Sequence, residues 1–104
     1  MGNETPDIQE GVRIEVEKKT AEPPLYRVLL HNDDYTAREL VVDILMSVFN
    51  KPLDEATRLM WHVHNNGVGT CGVYPLEIAE TKAKQATAAA REYGYPLKLT
   101  LEPE

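Results

Sequence analysis

The chain holds one cysteine, Cys71, among 104 residues. One thiol cannot form an internal disulfide or build a Cys-rich zinc site, so the fold must rest on packing. Positive charge is also scarce. Eleven Lys and Arg stand against 17 Asp and Glu, a formal net charge of -6 and a pI of about 5.0. A binder of phosphate backbones needs a basic face to release counterions, so nucleic acid is excluded as a partner. An anionic membrane surface is excluded on the same ground. No apolar run approaches the roughly 20 residues of a membrane span. No secretory hydrophobic segment follows Met1-Gly2, and Pro6 stands where N-myristoylation asks for Ser or Thr. The expected compartment is the cytoplasm.

What is present suits one globular domain: 42% hydrophobic and 27% charged residues are enough for a single core with a solvated surface. Residues 1–24 carry six acids (Glu4, Asp7, Glu10, Glu15, Glu17, Glu22) against three bases, Arg13, Lys18 and Lys19, with no aromatic residue. They end in Pro23-Pro24, which stiffens the chain into an extended form. A flexible acidic tail is expected over 1–24, with a short strand over 12–17 as an alternative because Val12, Ile14 and Val16 alternate with charges. The folded core is expected over 25–104.

Within that core, Tyr26, Val28 and Leu30 alternate as in a half-buried strand ending at His31. Asn32-Asp33-Asp34 reads as a turn, because such side chains bond the nearby backbone. Thr36 and Glu39 form a T-x-x-E capping box that predicts a helix start, and Leu40, Val41, Ile44, Leu45 and Val48 supply its apolar stripe. Asn50-Lys51-Pro52 separates this helix from the next, whose stripe is Leu53, Ala56, Leu59, Met60 and Val63 and whose stop is Asn65-Asn66-Gly67. Val68–Tyr74 reads as a strand. Pro75 opens a third helix rich in small residues (Ala79, Ala83, Ala86, Ala90), suited to close packing on a sheet and stopping at Gly94. Leu97, Leu99 and Leu101 alternate in a last strand. The class is α+β, with three helices on a small sheet.

Four groupings invite a chemical reading. His31, His62 and His64 with the aspartates suggest a metal, but His62 and His64 are two positions apart on a helix and point about 200° from each other. No metal or cofactor is expected. Cys71 between small residues reads as a buried hydrophobe, with nothing beside it to generate a thiolate. Asp33 with His64 would make an acid–base pair for a small hydrolase, but no nucleophile elbow or phosphate-binding loop accompanies them. The same side chains as acceptors fit an ammonium group: Asn32 offers a carbonyl oxygen, Asp33 a carboxylate and neutral His64 a ring nitrogen. Met60 and Val63 place an apolar surface next to them, as in an ordinary ligand pocket. On composition alone, a plain capped turn remains the stronger explanation of Asn32-Asp33-Asp34.

A longer pattern changes that balance. The run Tyr26-Arg27-Val28-Leu29-Leu30-His31-Asn32-Asp33-Asp34-Tyr35-Thr36 closely resembles the start of the ClpS adaptor domain. Ala56-Thr57-Arg58-Leu59-Met60 with Val63-His64, then Cys71-Gly72-Val73-Tyr74, and Glu77 to Lys82 (EIAETK) resemble it in collinear order, over about residues 24–102 in all. The resemblance implies three helices against a three-stranded antiparallel sheet. It also implies a non-enzymatic, monomeric adaptor that holds N-degron substrates, proteins whose first residue is bulky and hydrophobic, and delivers them to the ClpA-type unfoldase of the Clp protease. A plain interaction domain without N-terminal selectivity is the other binding alternative. Carried over by position, Asn32, Asp33 and His64 would bind the substrate's α-amino group. Thr36, Val41, Met60, Val63 and Leu97 would line the side-chain pocket, and Glu77 and Lys82 would dock on the unfoldase. Asp34 is left to structure or docking. The sequence departs from the family at Arg38, where methionine commonly guards the pocket, and a changed first-residue preference is expected from it.

Overall fold

Alternation in Tyr26, Val28 and Leu30 produces the central strand, and everything else is arranged around it. The structure, a computed structural model, describes residues 22–104. The strand considered over 12–17, and the tail expected over 1–24 except for its last three residues, lie outside the described residues. The order is β1 (Leu25–His31), α1 (Arg38–Ser47), α2 (Leu53–Asn66), β2 (Val68–Pro75), α3 (Leu76–Glu92) and β3 (Lys98–Pro103). The three strands form one antiparallel sheet in the order β2-β1-β3. This is the expected α+β fold of three helices on a three-stranded sheet.

Val28 pairs with Leu101 and Leu30 with Leu99 across β1 and β3, and Val28 and Leu30 are buried in the core. On the other side β1 pairs with β2 from Leu25↔Pro75 to His31↔Val68. The register slips between Val28 and Leu29, which leaves Cys71 without a partner and turned into the core at 1% exposure. The helices pack on this sheet through Val41, Ile44, Leu45 and Phe49 from the α1 segment, Ala56, Met60 and Val63 from α2, and Ala79, Ala86 and Ala90 from α3. One expectation about the stripes needs revision. Leu53 is 62% exposed, because it opens α2 beyond the edge of the core, and Phe49, just past α1, is buried instead. Gly69 lets α2 approach β2: a Cβ there would lie 2.8 Å from Val63 Cγ2 and 3.0 Å from Leu59 Cδ1.

The start of α1 differs from the capping-box prediction. Ala37, not Thr36, is the cap residue, and no side chain caps the helix. The Thr36 hydroxyl donates to Asp33 Oδ2 at 2.8 Å, while Asp33 Oδ1 accepts the backbone N–H groups of Tyr35 and Thr36, both at 2.7 Å. A carboxylate is a stronger acceptor than a hydroxyl, and Thr36 lies one residue too early to serve the first turn. Asp33 holds the turn, and Asp34 is exposed.

Partial burial by itself would raise the Asp33 carboxyl. The Thr36 and Tyr35 N–H groups, the Thr36 hydroxyl and the Arg91 charge outweigh it, and together they hold the carboxyl below the usual aspartate value. A depressed pKa means stability that is present above the unfolded value and lost as pH falls through the folded one. Asp33→Asn is expected to lower the urea midpoint near neutrality, by roughly 0.5–1.5 kcal/mol of stability. The gap to wild type should close as pH drops below about 3.9. A gap that stays constant into acid would show that the ionised carboxylate does not hold the turn. Burial, only partly opposed by the Lys51 charge, pushes the Cys71 thiol up to about 12. Thiol reagents are expected to label it in denaturant and to leave it untouched in the native protein at neutral pH.

Candidate functional site

The turn after β1 and the last turn of α2 are distant in sequence and joined by one backbone hydrogen bond. Asn32 N–H donates to Gly67 O at 2.9 Å, one step beyond the last β1–β2 pair, His31↔Val68. Gly67 adopts a left-handed conformation (φ 93°), which a side chain would strain, and its own N–H donates to Val63 O at 2.8 Å, closing α2. His64 and Val63 are thereby brought beside Asn32 and Asp33. A third segment comes from the far side. Arg91, at the end of α3, donates to the carbonyls of Tyr95 (2.6 Å) and Leu97 (3.1 Å) and so shapes the loop that delivers Leu97.

These junctions enclose a recess of about 170 Å³. Every residue expected in the substrate site lines it: Asn32, Asp33 and His64, with Thr36, Arg38, Val41, Met60, Val63 and Leu97. Leu30, His31 and Asp34 join them. Burial divides the lining in two. Leu30, Val41, Met60, Val63 and Leu97 are all buried apolar side chains, whereas Asn32, Asp34, Arg38 and His64 are exposed and Asp33 and Thr36 half-buried. The recess therefore has an apolar floor and a polar rim.

Trp61, which sequence reasoning missed, lines an open groove adjoining the recess. Its ring meets the His64 ring edge to face, with centroids 5.6 Å apart and planes at 84°. The Arg38 guanidinium lies over the same indole, 5.2 Å from its centroid. Arg38 is thus exposed, as a first-turn residue should be, but its head group is held against an aromatic face. The i, i+3 spacing of Trp61 and His64 was a legible signal; the contact with Arg38, from another helix, was not. The remaining pair, Glu77 and Lys82, lies away from the recess on α3, beside a shallow depression with Ile78, Thr81 and Gln85. Lys82 Nζ donates to Val48 O at 2.7 Å, at the C-terminal end of α1, and stands 5.4 Å from the Tyr74 ring centroid.

The geometry favours binding over the competing chemistries. His31 Nε2 shares a hydrogen bond with Thr100 Oγ1 at 2.7 Å, and Asn66 Nδ2 donates to His62 Nδ1 at 2.9 Å, so each histidine is engaged locally. Among the described residues, no three His, Cys, Asp or Glu side chains are grouped to hold a metal ion. A general base works best with a pKa near the operating pH, whereas Asp33 is shifted downward and already occupied by the turn. Among the same residues no helix is long and apolar enough to cross a membrane.

Comparison with known proteins agrees with this geometry. Residues 21–100 match the family model described as ATP-dependent Clp protease adaptor protein ClpS. The ClpS adapter protein of Desulforapulum autotrophicum is 49% identical over 104 residues, the whole of both chains. That of Nitratidesulfovibrio vulgaris is 54% identical over 97 residues, covering 93% of this chain and 97% of the relative. Among solved structures, Agrobacterium tumefaciens ClpS2 bound to L-phenylalaninamide superposes with a TM-score of 0.77 at 47% identity, covering 80% of this chain and all of the other. A family match over most of the chain, near-50% identity end to end and a shared fold lead to one conclusion: the chain belongs to the ClpS family of ATP-dependent Clp protease adaptor proteins.

Proposed function

We propose that this adaptor binds polypeptides by a free α-amino group together with a bulky hydrophobic first side chain, and hands them to a ClpA-type unfoldase. It does so as a cytoplasmic monomer without enzymatic activity. One observation carries this reading: Asn32, Asp33 and His64, from two separate segments, edge a recess floored by buried apolar side chains. Only a chain's amino terminus brings an ammonium charge and a hydrophobic side chain together on one carbon.

The roles follow from acceptor capacity and size. A carboxylate has about four lone-pair sites. Two N–H groups occupy Asp33 Oδ1, and the Thr36 hydroxyl takes one site on Oδ2. One site remains on Oδ2 for the ammonium, with the Asn32 carbonyl and a His64 ring nitrogen as further acceptors. An apolar cavity of about 150 Å³ admits benzene, so a recess of about 170 Å³ suits a phenyl-sized side chain. Burying that side chain is worth roughly 1.5–3 kcal/mol, and each charged hydrogen bond about as much. After the cost of association, micromolar affinity or tighter is on the order expected. Glu77 is exposed on α3 and suits contact with the unfoldase; Lys82 lies beside it, although its ammonium also ties α3 to α1. The segment before Pro23 would take part in handover, the core over 25–104 in recognition.

Calorimetric titration with a Phe-initiated peptide, free and N-acetylated, tests the reading. The free peptide is expected to bind and return intact after overnight incubation, the acetylated one to lose at least an order of magnitude in affinity, and His64→Ala to weaken the free peptide severalfold. Equal binding of both forms would favour a non-selective interaction domain, and cleavage would favour a hydrolase. A panel varying only the first residue addresses Arg38. Phe, Tyr and Trp should bind better than Leu by about two- to fivefold, the scale of one exposed cation–π contact. Leu binding as tightly as Phe would refute that role for the guanidinium.

A further inference from the structure

We infer that Trp61 is a positioning residue for first-residue selectivity, acting by holding the Arg38 guanidinium at the mouth of the recess; the inference rests on the proposed binding of amino termini there. Three observations carry it. Trp61 is 45% exposed, so its large ring is not there to fill the core. Its face lies under the Arg38 guanidinium, with 5.2 Å between centroid and Cζ. Its orientation is in turn set by the edge-to-face contact with His64 one turn further along α2.

Arg38 lines the recess together with Met60 and Thr36. It also lines an adjoining open groove with Trp61, Tyr35, Glu39 and Val42. The guanidinium thus stands on the partition between the two. An exposed arginine has several rotatable bonds, and without a fixed partner its head group samples the solvent around its stem. A planar guanidinium has two faces. With the Trp61 indole beside the guanidinium, the side chain is pre-organised and less freedom is lost when an incoming aromatic ring meets the face left open. An aliphatic first residue offers no ring face and gains nothing from this arrangement. Trp61 therefore acts on the ratio of aromatic to aliphatic binding.

The test is a double-mutant cycle on the full chain, reading by calorimetry the ratio of affinities for two peptides that differ only in Phe or Leu at the first position. An acetylated Phe peptide serves as the control. Trp61→Leu is expected to reduce the Phe-to-Leu ratio by about two- to fivefold. In an Arg38→Met background the same change should leave the ratio where Arg38→Met had put it. Trp61→Tyr, which keeps a ring face, should restore most of it, and a circular dichroism melt establishes that each variant is folded. An unchanged ratio in Trp61→Leu would overturn the inference while leaving the binding site intact. So would an equal reduction in the Arg38→Met background, since the effect would then not pass through Arg38. Wild type that cannot tell the free from the acetylated peptide would instead overturn the reading of the site, and the inference with it.

Discussion

The pairing of β1 with a neighbour on each side is the constraint on which the rest of this structure depends. Because its side chains alternate with a period of two, a slip of one residue would turn Val28 and Leu30 away from the core. The in-register sheet therefore also sets where the strand ends. Just past that end the Asn32–Gly67 hydrogen bond fastens the following turn to the close of α2. The recess is the space left where that junction, α1 and the Leu97 loop fail to close over the apolar floor.

Asp33 holds the turn after β1, and in the proposed site the same carboxylate would also meet the ligand. Three hydrogen bonds from Tyr35 and Thr36 fix its position before any ligand arrives, and the downward shift they help produce reflects how well they favour the ionised form. Such pre-organisation reduces the ordering cost of binding. In the proposed mode of binding the two halves of the recess would divide the work of recognition. Its apolar floor would contribute affinity in proportion to buried area, while the rim acceptors would contribute orientation and reject groups that bring no cation. Trp61, in the adjoining groove, touches two of the rim residues, Arg38 and His64. On α3 the Lys82 ammonium meets the C-terminal end of α1, where the helix dipole favours a cation.

The sequence by itself determined the order and kind of elements, because apolar periodicity and punctuation by Gly, Pro and Asn are local signals that packing reinforced. It also named the recess lining, through Asn32, Asp33, Met60, Val63 and His64 in collinear family motifs. Local signals misled where two readings competed for one side chain: Thr36-x-x-Glu39 has the form of a capping box, but the nearby Asp33 carboxylate captured the Thr36 hydroxyl. Only tertiary structure decided that Leu30 and His31 share the lining, that Arg91 biases Asp33 and anchors the Leu97 loop, and that Trp61 stands between Arg38 and His64. The physical reason lies in the pairings between elements. Arg38 with Trp61 and Arg91 with Asp33 join side chains from segments far apart in the chain, and no spacing rule within one element encodes which faces meet until the sheet register and the Asn32–Gly67 junction set the helices against one another.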